Sequence, residues 1–183
     1  MRFAMPVIAA CFVLLACGGS QSTQANNAQP SKKVNAAAAM TVSTRPITTR
    51  VSGAAALSIM HERHEGMETI GKTTKAINRE LQTGSPDLAV VRAGAAKIAD
   101  LSRQASGWFH AGTGPELGKT GAKPEIWQTP DDFAVKLGNF QKAAQAFNAA
   151  AAGSDIGAIK ARFSDLGGAC KACHDKYRAE MHH

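Results

Sequence analysis

The residues with the clearest chemistry stand near the C-terminus, in the segment Cys170-Lys171-Ala172-Cys173-His174. On a helix, Cys170 and Cys173 are three residues apart and face one side, so both thiols could add to the two vinyl groups of one haem. His174 follows directly, and its imidazole could approach the iron from that same side. The spacing therefore predicts one covalent haem c, with His174 as the proximal iron ligand.

Three other uses of this segment remain open. A disulfide between Cys170 and Cys173 would close a very short loop and would stabilise the fold little. A thioredoxin-like redox pair needs a βαβ context, which is missing from this sequence. A zinc site would need two more ligands, and the nearest histidines are His182 and His183 at the chain terminus.

Four helical segments could position these residues, since apolar side chains recur every three or four residues from about residue 54 onward. The segments span about residues 54–82, 85–106, 130–153 and 154–180. In the first segment, the predicted buried stripe consists of Leu57, Met60, His64, Met67, Gly71, Thr74 and Leu81. Ser85 is expected to cap the second helix, with Pro86 at its first position. Two short links and one long connection, with little β-forming sequence, predict an all-α antiparallel four-helix bundle.

The chain before these helices predicts export and attachment to a membrane. Residues 1–16 form a predicted signal peptide, in which Arg2 precedes an apolar run too short to span a bilayer. The run ends at Leu14-Leu15-Ala16-Cys17, which resembles a bacterial lipobox, so we expect a lipid anchor on Cys17. The alternative is an ordinary signal peptide without lipidation. Residues 17–53 are predicted to form a flexible, lipid-anchored tether, which joins the membrane to the globular domain at residues 54–183.

Localisation and partner classes follow from the same features. We expect a lipoprotein that faces the periplasm, and the lack of Asp just after Cys17 favours the outer membrane. The formal net charge of +7 is scattered among acidic residues, without the Lys/Arg run that follows phosphates, which excludes nucleic acid as a partner. No acid/base pair, activated nucleophile or phosphate-binding loop accompanies the cysteine motif, so the sequence does not predict an enzyme.

Larger segments resemble a known family. Leu166-Gly167-Gly168-Ala169 and the residues from Cys170 through Arg178 are similar to the C-terminal helix of the cytochrome c prime family, which includes the low-spin cytochromes c-556. Pro124-Glu125-Ile126-Trp127 and the pair Arg63 and Met67 extend the resemblance over about residues 54–180. It implies that Arg63 lies near a haem propionate, that Arg178 is a basic residue on the proximal side, and that two copies can form a homodimer.

The resemblance implies two functions, which differ at Met67. If its sulfur binds the iron, the haem is low-spin with His/Met ligation, and the protein carries electrons in the periplasm to or from a redox partner protein. This is the function that we expect. The alternative is a five-coordinate cytochrome c prime that binds nitric oxide or carbon monoxide above an open iron. His64 is a rival sixth ligand, and His61 a weaker one. A lipoprotein without haem is a third class.

Overall fold

The structure of the protein is a computed structural model that describes Val51 and residues 53–180. The predicted signal peptide, Cys17, nearly all of the tether, and His182 and His183 lie outside the described residues. Within them, the chain forms the helices α1 (Gly53–Leu81), α2 (Leu88–Gln104), the short α3 (Glu125–Gln128), α4 (Pro130–Ala151) and α5 (Ile156–Tyr177). Residues 108–124, named here the connection, join a 3₁₀ turn after α2 to α3.

The four long helices form the predicted bundle, and the all-α fold class is confirmed. Extensive contacts join α1 to α2, α2 to α4, and α4 to α5. By contrast, α1 and α5 make at most marginal contact with each other in the part of the chain that the structure describes. The bundle is therefore closed on three sides and loosely packed on the fourth, between α1 and α5.

The core is apolar and is supplied by all four long helices. Aromatic and aliphatic side chains from α2, α4 and α5 fill it as the sequence predicts, with Val91, Ile98, Phe133, Phe140, Phe147, Ile159 and Leu166 buried. Burial of such side chains stabilises a fold by about 1.5–3 kcal/mol each. No described helix combines the length and the apolar character that crossing a membrane would require.

The predicted stripe of α1 is wrong by about one residue. Its buried residues are Ala56, Arg63, Gly66, Ile70, Ile77 and Leu81. Leu57 is 53% exposed, and His64 and Gly71 are also exposed, whereas Met60, Met67 and Thr74 are half-buried. A shift of one residue rotates a helix face by about 100°. Arg63, a cation, is buried at a position where amphipathic spacing predicts an apolar side chain.

Two predicted helix ends also need correction. The N-cap of α2 is Asp87, whose carboxylate accepts hydrogen bonds from the backbone N–H groups of Ala89 and Val90, so Ser85 is not the cap. A carboxylate at this position satisfies free amides and favours the positive end of the helix dipole. At the other end of the chain, α5 stops at Tyr177 because Arg178 adopts an extended conformation and pairs with Ala122 of the connection.

Candidate functional site

The last turns of α5 present the two cysteines on the predicted common face. Cys170 and Cys173 are half-buried, pack against the hydrophobic core, and are free thiols in the structure. Burial raises the pKa of both thiols, and at Cys173 the neighbouring Cys170 raises it further. The thiols are therefore neutral at pH 7, side by side, and directed at the apolar interior rather than at solvent.

His174 lies beside the cysteines but on the outer part of the helix, where the residue is exposed. Partial burial of the ring and then the positive charge of Arg178 lower the pKa of His174, with a small opposing effect of Asp175. Its imidazole is thus neutral at pH 7 and has a nitrogen lone pair to offer a metal. Arg178 itself is exposed, and its backbone N–H donates to the His174 carbonyl at 3.1 Å.

Met67 stands on α1, the helix that faces α5 across the loosely packed side of the bundle. Its side chain is half-buried and packs against the hydrophobic core. The Met67 thioether on α1 and the two thiols on α5 therefore border the same hydrophobic core. An apolar group bonded to both thiols would meet apolar surroundings there, because all three side chains are half-buried against that core.

Arg63, one helical turn before Met67, is 5% exposed, and its charge is buried among neutral oxygens. Its Nη1 donates to Trp108 O at 2.9 Å and to Thr113 Oγ1 at 3.1 Å. Its Nη2 donates to Thr113 O at 2.8 Å and to Thr120 Oγ1 at 3.0 Å. Burial lowers the pKa of Arg63 to about 10, an effect that the charge of Glu116 partly offsets, so the guanidinium stays protonated at pH 7.

The surroundings of Arg63 fit an anionic group. Among the described residues Arg63 forms no salt bridge, and its Nε–H makes no hydrogen bond. A buried cation held only by neutral acceptors is stabilised when an anion binds beside it. The predicted role of Arg63 beside a haem propionate is consistent with this arrangement, and it stays a prediction.

The two histidines that could replace Met67 as the sixth ligand lie on the exposed part of α1. His61 and His64 are exposed on α1, and His64 faces solvent together with Glu65 and Glu68, whose ligand atoms lie within 4.8 Å of one another and of the imidazole. Glu68 is paired with Lys72 at 2.7 Å. Both histidines thus lie on the exposed part of α1, whereas Met67 is half-buried, and the rival ligation by His64 or His61 stays a prediction.

Trp108, which the sequence did not indicate, packs the connection against α1, and Trp127, part of the family resemblance, bonds the connection to α3. The Trp108 ring lies against Gly66 so closely that a Cβ atom there would clash with it. Trp127 Nε1 donates to the carbonyls of Phe109 and His110 at 3.2 Å and 3.0 Å. The buried Gly66 was the available signal, since a glycine inside a long helix often marks a close approach. The partners of that glycine are too distant in the sequence for any pattern to reveal.

The chain is similar in sequence and in structure to proteins of one known family. The family model described as Cytochrome C′ matches residues 58–178. Cytochrome c′ of Allochromatium vinosum is 36% identical over 121 residues, which cover 64% of this chain and 78% of that protein. The crystal structure of cytochrome c′ from Thermochromatium tepidum has a TM-score of 0.64 and 32% identity and covers 72% of this chain and 100% of that chain. A nitric oxide complex of a mutant of cytochrome c prime from Alcaligenes xylosoxidans has a TM-score of 0.62 and 28% identity, over 68% and 97% of the two chains.

These matches overturn one prediction. The relatives named above are cytochromes c′, the five-coordinate class in the resemblance described above, so the prediction of a low-spin haem with His/Met ligation in electron transfer is wrong. The structural reason for the error is the position of Met67, which packs against the core as methionines on helical stripes usually do. The presence of a thioether near an iron does not by itself imply a bond to it.

Proposed function

This chain belongs to the cytochrome c′ family and binds haem c, and from that premise we propose that it binds nitric oxide or carbon monoxide at a five-coordinate haem between α1 and α5. The observation that carries the proposal is that α1 and α5 make at most marginal contact among the described residues, while half-buried Cys170 and Cys173 on α5 and Met67 on α1 pack against one core. The function is ligand binding, and we propose no catalytic role. The redox partner required by an electron carrier is no longer needed.

Each residue of the site has a proposed task. Cys170 and Cys173 attach the haem, and the neutral imidazole of His174 holds the iron on the proximal side. Arg63 offers to a propionate its buried charge and its Nε–H, which makes no hydrogen bond within residues 53–180. When bound, haem supplies the iron that coordinates the gas.

The two sides of this site differ in polarity. Met67 forms an apolar wall on the distal side, where it excludes water and limits the size of the ligand. Arg178 places a positive charge on the proximal side, next to His174, and the pKa of that histidine is lowered partly by this charge.

The site is tested first by attachment. The purified protein should carry one haem that survives denaturation, and replacement of both Cys170 and Cys173 by Ala should abolish it. A haem that stays attached in the double variant would contradict the assignment. The outcome also decides among the disulfide, redox-pair and zinc alternatives, because covalent haem consumes both thiols.

The spin state tests the open iron. Wild type should be high-spin and should bind carbon monoxide when reduced, and Met67→Leu should leave the spin state unchanged because the thioether is only a wall. Met60→Leu is the matched control, since Met60 is half-buried on the same helix. A low-spin wild type that becomes high-spin only in Met67→Leu would refute the proposal.

We further propose that the protein works in the periplasm as a lipoprotein anchored through Cys17, with the outer membrane favoured. The support is the lipobox-like Leu14-Leu15-Ala16-Cys17. Cys17→Ser should release the protein from membranes into the soluble periplasmic fraction, while Cys11→Ser should not. Equal membrane retention of the wild type and of Cys17→Ser would refute the anchor. A homodimer, as in the family resemblance, stays a prediction that sedimentation of the soluble variant would check.

A further inference from the structure

A short part of the connection joins the two helices that flank the site. Residues 120–123, named here the strap, lie between Arg63 of α1 and the end of α5. Ala179 N–H donates to Gly121 O at 2.9 Å, and Lys123 N–H donates to Tyr177 O at 3.0 Å. Ala122 and Arg178 form the antiparallel bridge between these two bonds. The strap therefore fixes residues 177–179, about one helical turn after His174.

Thr120 connects this strap to α1. Its Oγ1 accepts one hydrogen bond from Arg63 Nη2 at 3.0 Å and a second from Ala122 N–H at 3.2 Å. One oxygen thus links a charged side chain on α1 to the backbone that pairs with α5. A hydrogen bond from a charged donor is stronger than a neutral one and has stricter geometry.

This link matters because the two helices scarcely touch each other directly. Since α1 and α5 make at most marginal contact within the described residues, their separation must be set through other elements. One route runs through α2 and α4, across the whole width of the bundle, and another through α3, which contacts α5 and whose Trp127 ring lies against Arg63. The route through Arg63, Thr120 and the strap is shorter than the first, and it ends at Arg178, whose N–H donates to the His174 carbonyl at 3.1 Å.

We infer that Thr120 is a positioning residue of the gas-binding site, whose hydroxyl oxygen sets the last turn of α5, and with it the orientation of His174, relative to Arg63 and Met67 on α1. The inference rests on the proposed function, in which those residues lie on the proximal and distal sides of one haem. Thr120 does not touch the iron or the gas. It acts through Arg63 on one side and through the strap on the other.

The experiment compares Thr120→Val, which keeps the shape and removes the acceptor, with Thr120→Ser, which keeps the acceptor. Thr83→Val is the matched control, because the Thr83 hydroxyl bonds only locally to Glu80 O at the far end of α1. The first readout is amide hydrogen exchange of Lys123 and Ala179 in the haem-containing protein. Exchange should be about tenfold faster in Thr120→Val, as expected for the loss of one charged hydrogen bond, and unchanged in the other two variants.

The second readout is the iron–histidine stretching band of the reduced protein in resonance Raman spectra, which reports how His174 is held. The band should shift or broaden in Thr120→Val and return to its wild-type form in Thr120→Ser. Thr120→Ala is read in the same way if valine is not accommodated. An unchanged band and unchanged exchange in the variant without the hydroxyl would overturn the inference, as would a serine variant that behaves like valine.

Measurements of haem content and spin state would show separately whether the proposed function is wrong. A wild-type protein without covalent haem, or with a low-spin haem in both oxidation states, would refute the gas-binding site itself. The exchange of Lys123 and Ala179 would still report whether Thr120 joins the strap to α1. The two readouts therefore separate a wrong function from a wrong role for Thr120.

Discussion

Replacing Gly66 by alanine should destabilise the fold, although alanine is the better helix former. Gly66 is buried in α1, and a Cβ atom there would clash with Trp108 Cη2 and would lie 2.5 Å from Cζ2. Trp108 is 4% exposed, so its rigid ring is almost wholly in contact with other protein atoms. Its carbonyl also accepts a hydrogen bond from Arg63 at 2.9 Å, which fixes the backbone behind the ring.

The expected magnitude follows from two opposing effects. Alanine in place of glycine in a helix interior stabilises by about 1 kcal/mol. Insertion of a methyl group into a well-packed core costs about 1–3 kcal/mol. Because the contact is far shorter than van der Waals distance and the ring is rigid, we expect the upper part of that range. The net loss for Gly66→Ala should then be about 2 kcal/mol.

Gly71→Ala is the matched control on the same helix. Gly71 is exposed, and a Cβ atom there would meet nothing within 4 Å. This variant should be stabilised by about 0.5–1 kcal/mol, through helix propensity alone. The two alanine variants should therefore differ by about 3 kcal/mol in free energy of unfolding. That difference is large compared with the uncertainty of a denaturant titration.

The assay is guanidinium unfolding of the haem-containing protein, followed by far-ultraviolet circular dichroism. The midpoint should fall in Gly66→Ala with an unchanged slope, and Trp108→Phe in the same chain should recover part of the loss by making room. If Gly66→Ala is as stable as Gly71→Ala, the packing of Trp108 against α1 is not as the structure has it, and the reasoning fails.

Three further predictions concern single polar residues. Arg63→Met should lower the free energy of unfolding by about 2–4 kcal/mol, because the buried oxygens around Arg63 lose their hydrogen-bond donor. Thermal or denaturant unfolding measures this loss, and an unchanged stability would contradict the prediction. Asp87→Ala should cost about 1 kcal/mol through loss of the α2 N-cap, seen in the same titration, and no loss would show that the cap is not used. Hydrogen bonds from Tyr177 and then Lys176 lower the pKa of Asp132, so its stabilisation is present above the ordinary aspartate pKa of about 3.9 and is lost as the pH falls through the lowered value. Asp132→Asn should flatten the acid side of the stability–pH curve, and an unchanged curve would contradict this.

Local patterns in the sequence predicted much of the fold. The helices α1, α2, α4 and α5 were expected within a few residues of their observed ends, because amphipathic spacing and helix-ending residues are read over short stretches of chain. Pro130 is the first residue of α4, as its fixed φ angle favours. The cysteine motif was found for the same reason, since the whole of Cys170 to His174 lies within little more than one helical turn.

No local sequence pattern distinguishes electron transfer at a low-spin haem from gas binding at a five-coordinate haem. A methionine at position 67 is compatible with a bond to iron and with packing beside it, and the residue type is the same in both cases. The prediction of ligation from the sequence is wrong, because the relatives named above are cytochromes c′. The packing of Met67 against the core, which the structure shows, supplies the physical alternative.

By itself, the sequence determined where the helices form, and it predicts haem attachment at Cys170 and Cys173 with His174 as the ligand, because both depend on neighbours along the chain. The tertiary structure decided which face of α1 is buried and how the connection holds that face. Arg63 can be buried only because Trp108, Thr113 and Thr120 supply oxygens from 45 to 57 residues away in the sequence. A charge is accepted inside a protein when distant parts of the chain converge to satisfy it, and that convergence exists only in the folded molecule.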